Sequence, residues 1–458
     1  MNNSLINPAP PQGAVPGAVV AVLAFLLPFL SLLTLWGVSA CSFLIFLYAL
    51  FYFKRTGAAL ARHWPALRWV VCAFLFNFLF ALACFLLRPE THLGTVEKPS
   101  RMFFALSALA LVLAFKPDRR ALWWGVIAGA IAGLPLVAYQ RLELAVDRPG
   151  GLINAITYGD LSLCLGLVAL AAAIDFRGTP KMMLASAGAF AGILASIATG
   201  TRGGWVALAL VSIVFVVYSH VLSSRRVRIL IALSFALVAG TYFVPGTGVR
   251  ERIGQGVHDV STYFAGGSVF SNVGIRLELW KGATMLVAER PLAGRDLGAA
   301  LERLAVYVKE GRLDRAVLDA PHFHNDALQA LVTGGAIGLA AWLAILGAPF
   351  AFFARALRRQ QHAGRQQFAL ALAGMLMVVC YFSFGLTEVI FWSVKGSLFY
   401  ALMVFLLMGF CLNANSYQSA KAHDNAKARA AGPEPETVPE PMPAPGHERD
   451  PVKDLHGK

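Results

Sequence analysis

Two short stretches concentrate residue types that handle anions and protons. The first is Thr199-Gly200-Thr201-Arg202-Gly203-Gly204-Trp205, a tight turn between two apolar blocks. Its glycines carry no Cβ and let a bulky anion approach the backbone. Its arginine offers a fork that matches phosphate oxygens two at a time. An arginine snorkelling from a helix end accounts for the same residue without a ligand. The second stretch is Asp319-Ala320-Pro321-His322-Phe323-His324-Asn325-Asp326-Ala327-Leu328. Pro321 suits a helix start, and Asn325 or Asp326 suits the first turn. A neutral imidazole takes a proton from a hydroxyl near neutral pH; a histidine that only caps the helix is the plain alternative. No metal is expected, because His322, His324 and Asp326 lie two apart, would not share a helical face, and form no H-E-x-x-H pattern.

The elements that must hold these stretches are membrane helices. Of 458 residues, 57% are hydrophobic and only 14% charged, whereas soluble domains sit nearer a quarter charged. The apolar residues come in blocks near 17–36, 38–53, 68–86, 102–115, 121–138, 155–174, 183–200, 204–222, 228–244, 333–354, 366–386 and 389–411. A helix of roughly 18 or more apolar residues crosses the hydrocarbon layer and satisfies its own backbone. The fourth block is short and is expected to draw on residues before Arg101. The first has no basic n-region or small-residue cleavage site, so it is expected to be retained. The expected class is therefore all-α and polytopic, with about a dozen transmembrane helices. Its segments are 1–16, an N-terminal cytoplasmic piece; 17–244, helices one to nine; 245–325, a large external loop; 326–412, the last three helices; and 413–458, a Pro- and Glu-rich cytoplasmic tail expected to be disordered.

The net charge is +14. With the N-terminus cytoplasmic, Lys54, Arg55, Arg62, Lys116, Arg119, Arg120, Arg177, Lys181, Arg225, Arg226, Arg228, Arg355, Arg358, Arg359 and Arg365 fall in short basic loops on that side, as the positive-inside rule requires. They are too dispersed for a nucleic-acid footprint. Arg88, Lys98, Arg101, Arg141, Arg148, Arg202, Arg250, Arg252, Arg276, Arg290 and Arg295 land on the other side, where topology does not favour cations. Solvation of the long loop accounts for more than half of them, and a polyanionic substrate is one reason for the rest. The six cysteines lie in or beside apolar blocks and are expected to pack as small apolar groups.

The external loop is too long for a passive connector. Arg250–Phe264 and Val273–Ala288 show helical spacing of apolar residues, suited either to the membrane interface or to a cap on the bundle. Arg276 and Trp280 are four apart and share a face. Pro291-Leu292-Ala293-Gly294-Arg295-Asp296-Leu297-Gly298 reads as a turn more than as a phosphate loop.

Taken in order, Thr-x-Thr-Arg-Gly-Gly-Trp, Arg-x-x-x-Trp, Pro-x-x-Gly and His-Asn-x-x-Leu within this topology resemble the O-antigen ligase family, whose relatives include O-antigen polymerases. The resemblance spans roughly residues 15–412. It implies a membrane glycosyltransferase of the GT-C type that needs no cofactor and no metal. Its partners would be undecaprenyl diphosphate-linked O-antigen, the lipid A–core oligosaccharide and membrane lipids, with no nucleic acid. Its site would lie on the periplasmic face of the bacterial inner membrane. Matched position by position, His324 takes the family's essential histidine, with His322 beside it, and Arg202 and Arg276 take two arginines. Lys98 and Arg101 resemble a basic position before the fourth helix. Tyr158-Gly159-Asp160 resembles a short Gly-containing element, which makes Asp160 a substrate-binding candidate. The family often shows Gly-x-Gly after the loop proline, whereas Gly294 and Gly298 here are four apart.

The implied chemistry is inverting transfer. His324 is the general base on an acceptor hydroxyl, and Arg202 and Arg276 neutralise the departing diphosphate. Lys98, Arg101, Asp160 and His322 bind substrate. A polymerase or a protein O-oligosaccharide ligase shares the donor and differs in the acceptor. A lipid-linked anion transporter is the alternative of another class, but transporters place polar or broken helices at the midplane, and here the apolar blocks are almost free of charge.

Overall fold

The computed structural model describes residues 14–201, 203–217, 225–241, 243, 249–358 and 364–430. The expected N-terminal segment up to residue 13, Arg202, Arg359 and the stretch from 431 onward lie outside the described residues.

Among the described residues every regular element is helical. In chain order these are α1 (Ala14–Leu33), α2 (Gly37–Phe51), α3 (Phe53–Leu87), α4 (Gly94–Phe104), α5 (Leu106–Phe115), α6 (Arg120–Leu142), α7 (Ala155–Asp175), α8 (Lys181–Ala198), α9 (Gly203–Val217), α10 (Arg225–Thr241), α11 (Val249–Phe264), α12 (Asn272–Glu289), α13 (Leu297–Lys309), α14 (Asp326–Arg358), α15 (Arg365–Thr387) and α16 (Val394–Ala430). Nine stretches among the described residues are long and apolar enough to cross a bilayer: α1, α3, Gly94–Phe115, α6, α7, α8, α14, α15 and Val394–Ala414. The apolar helices α2 and α9 are shorter, and α10 has 17 residues. The protein is thus polytopic, with nine candidate spans and three shorter helices on the remaining apolar blocks.

The fourth block does draw on residues before Arg101, since its span starts at Gly94. The chain divides into Met1–Asn415 and Ser416–Lys458. Helix α16 runs to Ala430, past residue 413 where the tail was expected to begin. The Ala, Lys, Gln and Arg of that stretch are strong helix formers and extend the helix beyond its apolar part. Cys72 is exposed, unlike the other five cysteines, because α3 turns much of its surface outward.

Helices α7, α15 and the first part of α16 form the centre of the bundle, each 83% buried, against 28% for α3. Small residues permit the close crossing of α7 and α8: a Cβ on Gly192 would meet the Gly166 Cα at 2.6 Å.

Between α10 and α14 the chain builds a second core of its own. Leu279, Ala283 and Leu286 of α12 pack against Ala300, Leu304 and Tyr307 of α13, and against Val317 and Phe323. Of the two sequence readings, α12 therefore follows the cap. Helix α13 is an element that the spacing did not announce. Glu289 binds it by accepting hydrogen bonds from Arg303 (2.7 Å) and Tyr307, and pairs with Arg295 at 2.6 Å. These partners, the Arg303 bond foremost, hold its carboxyl down to about 2.

The Pro291–Gly294 turn joins this cap to the bundle. Helix α14 is broken at Gly335 (φ 59°), and the turn enters the break. Ala336 N–H donates to the Pro291 carbonyl at 2.8 Å, and Arg295 N–H donates to the Val332 carbonyl at 3.0 Å. Arg88 at the end of α3 closes the joint, donating to Thr333 O at 2.9 Å and to Ala293 O. The backbone groups freed by the break are thus paired again, as burial requires. There is no room for side chains: a Cβ on Gly294 would lie 2.5 Å from Val332 O, and one on Gly335 would lie 2.2 Å from Leu292 C. The four-residue spacing of Gly294 and Gly298 is explained as well, since Gly298 N–H belongs to the next helix, capped by Asp296 at 2.8 Å.

Gly294→Ala should cost backbone strain and the joint together, several times the roughly 1 kcal/mol of a left-handed alanine. Gly311 has a similar φ of 68° and open space around it, so Gly311→Ala should cost the strain alone. Unfolding midpoints of the two variants in detergent, measured side by side, check this; equal shifts would remove the joint.

Candidate functional site

His324 and Glu388 meet at one end of the bundle. His324 precedes the first residue of α14, and Glu388 follows the last residue of α15. The ends of α3 and α8 and the start of α4 lie on the same face, which gathers Arg88, Lys98 and Thr201 there.

Several local devices fix His324. Phe323 is fully buried in the cap core, which splays the imidazoles before and after it toward the bundle. Trp280 Nε1 donates to the Phe323 carbonyl at 3.0 Å. Asn325 then caps α14, its Oδ1 accepting from Leu328 N–H at 3.0 Å while its Nδ2 donates to Leu386 O at 3.0 Å. Between these anchors His324 takes a φ of 50°, a left-handed conformation costing a non-glycine residue about 1–2 kcal/mol. Arg-x-x-x-Trp acquires a physical meaning here: one turn of α12 holds the histidine backbone through Trp280 and reaches Glu388 through Arg276.

Glu388 is the hub. His324 Nδ1 lies 3.0 and 3.1 Å from its two oxygens. Arg276 Nη2 donates to Oε2 at 3.3 Å, and Val389 N–H donates to Oε1 at 3.1 Å. His322 Nε2 stands 3.5 Å from Oε1. Burial pushes the Glu388 carboxyl up, but the hydrogen bond and charge of His324, the Val389 N–H and Arg276 together hold it below the usual carboxylate range. A carboxylate accepts only. His324 Nδ1 therefore carries a proton toward Glu388, so that in the neutral ring the lone pair would lie on Nε2. His322 is pushed down to about 4, chiefly by burial, with the Glu388 charge opposing. It is neutral at physiological pH, and its Nδ1 accepts from His324 N–H at 3.3 Å.

Two cavities flank the segment from Glu388 to Trp392, and His322 and His324 line neither. One, of about 240 Å³, is lined by Arg148, Thr201, Gly203, Asn272, Arg276 and Glu388, among others. The second, also about 240 Å³, is lined by Arg88, Lys98, Asp326, Gln329, Trp342 and Trp392, among others. Residues 388–392 are the wall between them. Lys98 Nζ sits 4.3 Å over the Trp392 ring, and the His322 ring lies 5.8 Å from the same indole.

The structure thus brings His324, His322, Arg276 and Lys98 together. Arg101 is turned away, paired with Glu97 at 2.7 Å, and lines neither cavity. Asp160 is buried behind the first cavity, and its Oδ1 has no hydrogen-bond partner among the described residues. Gly159 beside it makes room for the Thr199–Thr201 turn, since a Cβ there would lie 2.4 Å from Thr199 Oγ1. Thr201 Oγ1 in turn contacts Thr199 Oγ1 at 2.7 Å and donates to Ala155 O at 3.2 Å. Arg202 lies outside the described residues, and its neighbours Thr201 and Gly203 line the first cavity.

Sequence reasoning missed Glu388 and Trp392. A signal for the first existed: Glu388 is the sole acid between residues 366 and 411, and an ionisable group inside an apolar run marks function by default. The ligand atoms of His322, His324 and Glu388 all lie within 4.8 Å of one another. This trio is the donor set that a metal ion would find, although the carboxylate already serves His324, Arg276 and Val389.

Fold and site together define a multi-pass membrane protein with a His–Glu–Arg centre at one membrane face. Residues 187–343 match the family model described as O-Antigen ligase, so the resemblance carried by the short motifs is shown over that stretch. The matched stretch, about a third of the chain, takes in the Thr-x-Thr-Arg-Gly-Gly-Trp turn, Arg276, Trp280 and both histidines. An uncharacterized protein of Haemophilus influenzae is 20% identical over 342 residues, which cover 73% of this chain and 85% of that protein.

The folded pKa of His322 near 4 lies below its ordinary value of 6.5. The unfolded chain therefore binds this proton first, and stability is lost as pH falls from 6.5 toward 4. Thermal unfolding of wild type and His322→Gln across that window should show a shallower acid slope for the variant. Parallel slopes would mean that His322 is not held neutral.

Proposed function

We propose that the protein is an inverting, metal-independent glycosyltransferase of the GT-C type. It transfers O-antigen polysaccharide from undecaprenyl diphosphate to a sugar hydroxyl of the lipid A–core, at the periplasmic face of the bacterial inner membrane. The observation that carries this reading is the His324–Glu388 pair set at the wall between two cavities, with Arg276 on the same carboxylate. A carboxylate-oriented imidazole with a free Nε2 is the arrangement a general base needs. Cavities on either side suit a reaction between two large amphiphiles.

In this reading the donor diphosphate occupies the first cavity, beside Arg276, Arg148 and the Arg202 turn. The acceptor sugar occupies the second, stacked on Trp392, with Lys98, Gln329 and the Asp326 carboxyl near its hydroxyls. His324 Nε2 takes the proton of the attacking hydroxyl. The oxygen forms a bond to the anomeric carbon from the face opposite the diphosphate, and the bond from that carbon to the bridging phosphate oxygen breaks, its electron pair leaving on undecaprenyl diphosphate. One displacement inverts the anomeric centre. The arginines neutralise the charge that develops, and in a partly dehydrated site this is worth far more than in water. The positive charge gained by His324 is stabilised by Glu388. Asp160, buried behind the turn that the two threonines form against Gly159, faces the substrate side as a binding group.

The test uses purified protein, lipid-linked O-antigen, rough lipopolysaccharide and EDTA, with a gel ladder as readout. Wild type should give the ladder. His324→Ala should lower the rate by about 100- to 10,000-fold, and Glu388→Gln by a factor on the order of 100 or more, with both variants monodisperse. Lengthening of the donor glycan when donor is supplied alone would make the enzyme a polymerase. Full activity of His324→Ala would remove the proposed base, and loss of the wild-type ladder in EDTA would make the His322–His324–Glu388 trio a metal site.

A further inference from the structure

The opposite membrane face holds a second cationic cavity that the proposed reaction does not use. Helix α3 and the Gly94–Phe115 span both end at the catalytic face, with Arg88 and Lys98 in the second cavity described above. Their other ends enclose a cavity of about 410 Å³, lined by Arg55, Arg62 and Lys116 together with small and apolar residues such as Ala58, Leu113 and Phe115. No acid lines it. Among the described residues none of the three cations forms an ion pair: Asp118, near in sequence, pairs with Arg120 at 4.0 Å.

Two of the cations are held in place. Arg55 Nε donates to Ala114 O at 3.2 Å, and its guanidinium lies 4.4 Å over the Phe115 ring. Lys116 ends α5 in the left-handed region, φ 48°, a position that glycine would take without strain. The surroundings are amphipathic. At seven-residue steps after Arg55 and Arg62 along α3 come Trp69 and Phe76, 62% and 39% exposed, so cations give way to aromatic and apolar surface along one stripe. Trp64 is exposed as well, and tryptophan is enriched where hydrocarbon meets headgroups. Three unneutralised cations around a cavity, continuing into an exposed apolar stripe, match the order of parts in a phospholipid: anionic phosphate first, acyl chain next.

We propose that this cavity binds the phosphodiester headgroup of an anionic phospholipid, with the acyl chains lying along α3. Basic loop residues that anchor topology need only be near the membrane; these three converge on one volume. The site is independent of the transfer reaction, so the fate of that reading does not affect it. Free phosphate shares the headgroup chemistry and lacks the chains, and the test separates the two.

Full-length protein in a neutral detergent is titrated with dioleoyl phosphatidylglycerol, and bound lipid is counted by native mass spectrometry. Parallel titrations use dioleoyl phosphatidylcholine and inorganic phosphate. Wild type should retain phosphatidylglycerol in preference to phosphatidylcholine, and phosphate at equal concentration should not displace it. Removing one cation should weaken retention about fivefold. Arg62→Gln is the first variant, because Arg62 has no hydrogen-bond or ion-pair partner among the described residues, and Arg62→Lys should restore most of the binding. The triple variant Arg55→Gln, Arg62→Gln, Lys116→Gln should bind both lipids alike. Unchanged retention in Arg62→Gln and in the triple variant overturns the proposal, and so does displacement by phosphate alone.

Discussion

A carboxylate withdrawn from water at a membrane edge has to be compensated, and the arrangement of this site follows from how Glu388 is compensated. Losing one partner of a buried charge pair costs about 3–5 kcal/mol, so groups that neutralise such a carboxylate are not free to drift. Here they come from distant parts of the chain: His324 from the start of α14, Arg276 from α12 in the cap, and Val389 from its own turn. One side chain therefore fixes where the cap meets the bundle, which imidazole nitrogen carries the proton, and which guanidinium faces the first cavity. The cluster is a joint before it is a reaction centre.

Other contacts keep the joint from being a hinge. The cap has its own core, and Phe323, between the two histidines, is part of it. The Pro291–Gly294 turn fills the break in α14 about three turns beyond His324, and Arg88 ties both to α3. The base role proposed for His324 would need such support, because a rotamer left to itself is too loose to present one nitrogen within a fraction of an ångström. The left-handed backbone of His324 has the same origin. Burial of Phe323 on one side and the Asn325 cap on the other outweigh its strain, as sparsely populated conformations at functional sites require.

Much of this was legible in the sequence, and the illegible part has a common cause. Long apolar blocks announced the spans because lipid demands continuous hydrophobicity, a local property. Arg276, Trp280 and the histidines were legible because each sits in a motif whose spacing is itself local. Glu388 was not, because its meaning depends on His324, 64 positions away. The Pro291–Gly294 turn could be read as a turn but not as a plug, since its socket at Gly335 belongs to another helix. Lys98 and Arg101 looked equivalent on paper. On α4 the three-residue offset sends Lys98 to Trp392 and leaves Arg101 to Glu97. The short apolar stripe of α13 was hidden among its charges, and only the cap core gives it a purpose.

The placement of polar groups also bears on chemistry against passage. A route through the bundle would need polar groups in depth along α7, α15 and α16, yet these helices are the most buried and meet through groups such as Leu163, Leu370, Phe399 and Phe405. The acids within the candidate spans sit toward helix ends and not at the midplane: Glu97, Asp160 and Asp326 toward the starts of their helices, and Asp175 at the other end of α7, paired with Arg119. Both cavities flanking Glu388 are lined by helix ends of the face that holds it, and the wall between them is a continuous backbone segment from Glu388 to Trp392. In the proposed reading, two molecules approaching from either side meet beside that wall the His324 imidazole and the Arg276 charge held on Glu388.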